Sequence, residues 1–110
     1  MHKYRMVVFT AAKEGREKEC NDWYDSVHLR DLVACPGVRC AQRFDLRQPL
    51  AGEKQFPYLA VYEIETDDLQ GTLAEINNRA ASGRIVFSDA VADTWAAVFE
   101  EHGPVVRQKA

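Results

Sequence analysis

The chain has 110 residues, with 14 Lys and Arg against 17 Asp and Glu, a formal net charge of −3 and 46% hydrophobic residues. That length suits one domain over residues 1–110, with a core at about 4–100 and a polar tail at 103–110, burying roughly 60–68% of its unfolded surface. An acidic excess without a dense basic cluster disfavours nucleic acid as a partner, and the apolar run from Tyr4 to Ala12 is far shorter than the roughly 18–20 residues that cross a bilayer.

Charge is unevenly spread. Residues 1–55 carry 10 basic and 8 acidic groups and residues 56–110 carry 4 and 9, so an anionic ligand is expected to meet the first half. Cys20, Cys35 and Cys40 are odd in number and form no CxxC pair, and no apolar leader precedes them. A reduced, cytoplasmic protein is the expectation.

Tyr4 to Thr10 is rich in β-branched and aromatic residues and reads as a strand with two apolar faces, Tyr4/Met6/Val8 and Arg5/Val7/Phe9. After a polar stretch that bends at Gly15, residues from Cys20 to Cys35 take helical spacing, with Cys20, Tyr24, Val27, His28, Leu32 and Cys35 on one side and Pro36-Gly37 as the stop. Val38 to Leu46 reads as a second strand, with Arg39 and Arg43 on one face and Val38, Cys40, Gln42 and Phe44 on the other. The next segment, with Pro49, Gly52 and Pro57, is a loop. Tyr58 to Ile64 is a third strand. Glu65-Thr66-Asp67-Asp68 supplies caps for a second amphipathic helix through Leu69, Leu73, Ile76 and Ala80. Ile85 to Asp93 reads as a helical turn or a ligand-facing loop, and Thr94 to Glu100 as the fourth strand.

The order β-α-β-β-α-β predicts an α+β, ferredoxin-like fold: a four-stranded antiparallel sheet with both helices on one face. The uncovered face would then expose more aromatic and aliphatic surface than a soluble monomer normally carries. A homodimer with sheets face to face is the expected remedy.

His28, midway along the first helix and facing the sheet, is the candidate base. Burial lowers an imidazole pKa and a nearby carboxylate raises it, so either can tune it near neutrality. A structural histidine fits the same position. Tyr24, one turn earlier, suits an oxyanion donor, and Arg43 an anion partner. Trp23 suits a cleft wall or a core anchor, and Asp22 an orienting carboxylate or ordinary first-turn charge. Gln42 is a neutral hydrogen-bonding group in an apolar row. Phe9, Tyr62 and Trp95 suit either a cavity lining or the dimer core, and Ser88 a loop over the cleft or a turn cap. His2, His28 and His102 are widely separated, the cysteines lack ligand spacing, and the glycines form no phosphate loop. No metal and no cofactor is expected.

At Asn21-Asp22-Trp23-Tyr24-Asp25-Ser26-Val27-His28-Leu29, then Pro36-Gly37-Val38, Ala41-Gln42-Arg43-Phe44 and the Trp95 strand, the chain resembles the dimeric α/β-barrel superfamily, in particular its EthD-like members. The resemblance implies a dimeric α/β barrel, with His28 facing a cleft and Tyr24 and Trp23 as wall or donor. Enzymes of that superfamily include polyketide cyclases, quinone-forming monooxygenases that need no cofactor, muconolactone isomerases and haem-degrading enzymes. The expected function is therefore acid/base proton transfer on a small aromatic, lactone or polyketide-like substrate, of isomerase, cyclase or lyase type, with His28 as base. The alternatives are cofactor-independent monooxygenation of phenols and a non-catalytic homodimeric binding or stress-associated protein.

Overall fold

A computed structural model describes residues 1–109. Strand β1 is His2–Ala12, β2 is Val38–Asp45, β3 is Tyr58–Thr66 and β4 is Val91–Glu100. The first helix is built from Glu17–Trp23, a π-helical turn at Tyr24–His28, and Leu29–Val33; the second is Leu69–Ala81. The strands form one antiparallel sheet in the order β2-β3-β1-β4, so the ferredoxin-like arrangement stands.

The barrel expectation is overturned. β2 and β4 are the two edges of an open sheet and are not neighbours in it. Four strands are half the roughly eight at which a barrel interior is just filled by side chains, and a twist of about −20 to −25° between neighbours leaves them a propeller-like layer.

The register sorts the side chains cleanly. Tyr4, Met6, Val8 and Thr10 of β1 stand beside Ile64, Tyr62, Ala60 and Tyr58 of β3, on the face that the helices cover. Against it pack Tyr24, Leu32 and Cys35, with Ile76 and Ala80 from the second helix. Asp68 accepts from the Gly71 N–H at 2.9 Å and caps that second helix.

The opposite face carries Val7, Phe9, Leu59, Val61, Ala97 and Phe99, and it is open. Phe44, Trp95 and Phe99 are 44%, 49% and 52% exposed there, which leaves a continuous apolar surface. The loop before β3 closes through a Leu46 N–H to Pro57 carbonyl bond of 2.8 Å and lays Phe56 beside Phe9 on this face.

One alternation expected from the sequence fails. The β2 register slips between Val38 and Cys40, so Val38 points under the helices at 5% exposure while Cys40, Gln42 and Phe44 point to the open face. Arg39 occupies the bulge and pairs with Glu65 at 3.6 Å instead of sharing a face with Arg43. An extra residue in one strand re-aims every side chain before it, and period-two counting has no way to see it. The fourth strand also starts three residues earlier than expected, at Val91, because the Lys13 N–H bonds to the Ala90 carbonyl at 2.8 Å and extends the β1–β4 ladder past a second irregularity at Ala11/Ala12.

Candidate functional site

The first helix changes its winding where the candidate residues lie. The Leu29 N–H donates to the Tyr24 carbonyl five residues back, which makes Tyr24–His28 a π-turn inside an otherwise α-helical segment. Such insertions widen the helix and recur at functional sites. Here the turn begins at Tyr24, 1% exposed, and ends at His28.

The widened turn turns these side chains to the sheet as one aromatic cluster. Trp23 stacks on the His28 ring at 4.5 Å between centroids, Tyr24 meets it edge-on at 5.0 Å, and Phe87 lies 5.8 Å away. The Trp23 indole N–H donates to the Val86 carbonyl at 2.9 Å, and the Val86 N–H donates to Asp31 at 2.9 Å. These two bonds tie the irregular segment before β4 to the helix and hold Phe87 beside the imidazole.

Between helix and sheet is a cavity of about 230 Å³ lined by Val8, Thr10, Trp23, Tyr24, His28, Phe87, Ser88, Val91 and Thr94. Its helix wall holds the imidazole and the aromatic rings. The sheet wall is β1 and β4, where Thr10 and Thr94 are register partners. Four larger hollows lie elsewhere: one of about 510 Å³ against Leu29 and Val33, and three on the open face, of about 490 Å³ around Gln42 and Val61, 360 Å³ around Phe9 and Trp95, and 250 Å³ around Phe44 and Leu59. None of the four contains an imidazole, and among their titratable groups Asp25 and Cys40 are exposed, so size alone is a poor guide to the site.

Burial pushes the His28 pKa down from 6.5, with the Val86 carbonyl and Asp31 pulling weakly the other way. The ring is therefore neutral at physiological pH, and its Nδ1 is buried with no hydrogen-bond partner. A neutral imidazole on the wall of an apolar cavity is equipped to accept a proton. Burial raises the Tyr24 phenol, opposed by the hydrogen bond from Tyr62 and by Arg43, and burial also raises Tyr62. The Tyr62 hydroxyl donates to that of Tyr24 at 3.4 Å, and both remain protonated.

The residues singled out from the sequence divide into four groups. His28, Tyr24, Trp23 and Ser88 share the cavity, and Tyr62 supports Tyr24 from β3. Arg43 stands on the far side of Tyr24, its guanidinium 4.5 Å from that ring centre and 5.2 Å from Tyr58, with Nη1 2.9 Å from Asp25 and Nε and Nη2 buried without partners. It does not line the His28 cavity. Phe9, Gln42 and Trp95 are on the open face, with the sheet between them and His28; Phe9 packs on Trp95 at 5.7 Å. Asp22 is exposed on the outer side of the helix and paired with Lys18. Ser88 accepts from the Ala90 N–H at 3.1 Å, so it caps a turn as well as lining the cavity.

Sequence reading missed Thr10, Thr94 and Phe87. Thr10 carried a signal, being the one polar residue on the apolar row Tyr4/Met6/Val8/Thr10. Thr94 and Phe87 carried none, because their approach depends on the β1–β4 register and on the Trp23–Val86 bond.

No family profile matches the chain, and no curated protein matches it by sequence. Solved structures do match in shape. A DABB family protein with a ferredoxin-like fold from Mesorhizobium loti superposes with a TM-score of 0.68 at 14% identity, covering 94% of this chain and 100% of its own. A dimeric ferredoxin-like protein of unknown function from Thermobifida fusca gives 0.63 at 13% identity over 91% and 92%. A structure from Shewanella loihica, named as a candidate monooxygenase, gives 0.58 at 10% identity over 97% of both chains. At such identities the likeness shows the fold alone, a ferredoxin-like sheet with two helices on one side, and leaves the chemistry to the site.

Proposed function

We propose that the protein is a cofactor-independent monooxygenase of small phenols, with His28 as the base, and that it works as a homodimer. The observation that carries this reading is the His28 cavity: a neutral imidazole packed among Trp23, Tyr24 and Phe87 on the wall of a space of about 230 Å³. Drug-sized ligands occupy roughly 300–1,000 Å³, and a cavity of roughly 150 Å³ holds benzene, so this volume suits one or two fused rings and leaves no room beside them for a flavin or a haem.

The chemistry follows from the groups present. The His28 imidazole takes the phenol proton, leaving an electron-rich phenolate between aromatic walls. One electron passes from the phenolate to dioxygen, and the resulting radical pair joins at a ring carbon ortho or para to the oxygen. The new C–O bond makes a hydroperoxide; loss of the ring C–H proton and cleavage of O–O, with protons exchanged through His28, release water and a quinone. One phenol and one dioxygen thus give one quinone and one water. Excluding bulk water protects the radical pair and keeps the imidazole neutral. The candidate-monooxygenase description of the Shewanella neighbour agrees with this reading.

The dimer is supported by the apolar open face and by the dimeric description of the Thermobifida neighbour. Membership of the EthD-like group, suggested by the Trp23-Tyr24 and His28-Leu29 pattern, fits the same reading. Incubation with 1-naphthol under ¹⁸O₂ tests the function: the account expects one labelled oxygen in the quinone. Conversion at the same rate under nitrogen would instead point to proton transfer of the isomerase or lyase type from the same base.

A further inference from the structure

The sheet wall of the His28 cavity carries a feature that the base chemistry leaves unused. Thr10 is 4% exposed, in the middle of the sheet, at a position where its neighbours in the row are Tyr4, Met6 and Val8. A buried hydroxyl is normally hydrogen-bonded, because burying it without a partner costs roughly 1–3 kcal/mol. Thr10 makes no side-chain hydrogen bond among the described residues, and its oxygen is not one of the sealed, partnerless atoms, which are His28 Nδ1 and Arg43 Nε and Nη2, so it opens onto the cavity that Thr10 lines. Thr94, its register partner on β4, is exposed to solvent and lines the same cavity, and its hydroxyl makes no hydrogen bond among the described residues. The third hydroxyl, Ser88, is already engaged by the Ala90 N–H.

We infer that Thr10 and Thr94 read a second oxygen on the substrate ring, so that the preferred ligand is a flat phenol bearing a further hydroxyl or carbonyl group rather than a simple phenol. This rests on the phenol reading of the cavity and narrows it. The geometry assigns the two ends: the imidazole belongs to the helix wall and the threonines to the strand wall, so a ring between them meets a base on one side and hydroxyl groups on the other. Threonine hydroxyls both donate and accept, so the second oxygen can be a hydroxyl or a ketone. The cavity lining holds no Lys or Arg, which disfavours a carboxylate in that position. A site built to pair an oxygen discriminates against the analogue that lacks it more sharply than an apolar pocket discriminates on size, because its own buried groups go unpaired.

Calorimetric titration of the full-length protein with phenol, resorcinol and hydroquinone tests the assignment without requiring turnover. At least one dihydroxybenzene is expected to bind about tenfold tighter than phenol. Thr10→Val, close in shape and suited to a strand, should remove most of that preference, and the Thr10→Val/Thr94→Val pair all of it, read as the ratio of diol to phenol affinity within each variant. Thr10→Ser, which keeps the hydroxyl, should retain the preference and guards against a packing effect. Equal binding of phenol and both diols by the native protein, or an intact preference in the folded double variant, overturns the threonine assignment and leaves the phenol reading in place. Failure of all three to bind overturns both. A preference that follows the threonines without oxygen uptake keeps the assignment and removes the oxygenase reading.

Discussion

His28 is a case in which burial sets chemistry and stability at once. Its folded-state pKa lies below its ordinary 6.5, so above that pH both folded and unfolded forms are neutral and the group contributes nothing to pH-dependent stability. As pH falls through 6.5 the unfolded chain takes up a proton that the folded chain resists, and stability drops until the folded pKa is reached. Melting curves between pH 7.5 and about 5 should therefore show a falling Tm that His28→Gln flattens; an unchanged slope would mean that the imidazole is solvated. Trp23→Phe keeps the ring stack but removes the bond to the Val86 carbonyl, and is expected to cost about 1 kcal/mol and to speed amide exchange in 84–90. His28, Tyr24 and Trp23 were legible in the sequence because they share one helical neighbourhood. Phe9, Gln42 and Trp95 stand on the other face of the sheet, and which face each strand residue takes is set by a register that the sequence pattern does not encode.

At the scale of elements, the π-turn and the β2 bulge do what neither helix nor strand periodicity encodes. Each inserts a local irregularity that rotates what lies on one side of it; the π-turn lies in the site, and the bulge on the far edge strand. All four strands and both helices could be read from apolar spacing and from the Pro36-Gly37 stop, whereas their ends were set by the ladder and by pairs such as Lys3 with Glu65 at 3.9 Å. Gly37 is more than a stop signal: its φ is +91°, and a Cβ there would approach the Thr72 side chain at 3.3 Å. Its carbonyl also accepts from the Glu65 N–H at 2.9 Å, which fixes the start of β2 against β3. Gly37→Ala should destabilise by about 1–2 kcal/mol in chemical denaturation with little change in the slope of the transition. A neutral result would mean that this turn relaxes freely.

For the whole molecule, the same sheet divides two tasks. One face and the helices hold His28, and the other face leaves Phe44, Trp95 and Phe99 exposed, where the proposed second copy would sit. The expectation of an apolar patch followed from counting two apolar rows per strand, and the register confirms which residues form it; the barrel did not follow, because four strands leave two edges. Trp95→Asp combined with Phe99→Asp should shift light scattering from twice the chain mass to one, and a native protein that already scatters as a monomer would remove the dimer. The central claim is that a buried neutral His28 drives oxygen chemistry on a phenol. Oxygen-electrode recording of the native protein and His28→Ala with resorcinol and 1-naphthol, with no cofactor added, tests it most directly. The account predicts one dioxygen consumed per phenol and a loss of roughly 10²-fold in rate for the folded variant; no oxygen uptake by the native protein, or uptake undiminished in His28→Ala, would contradict it.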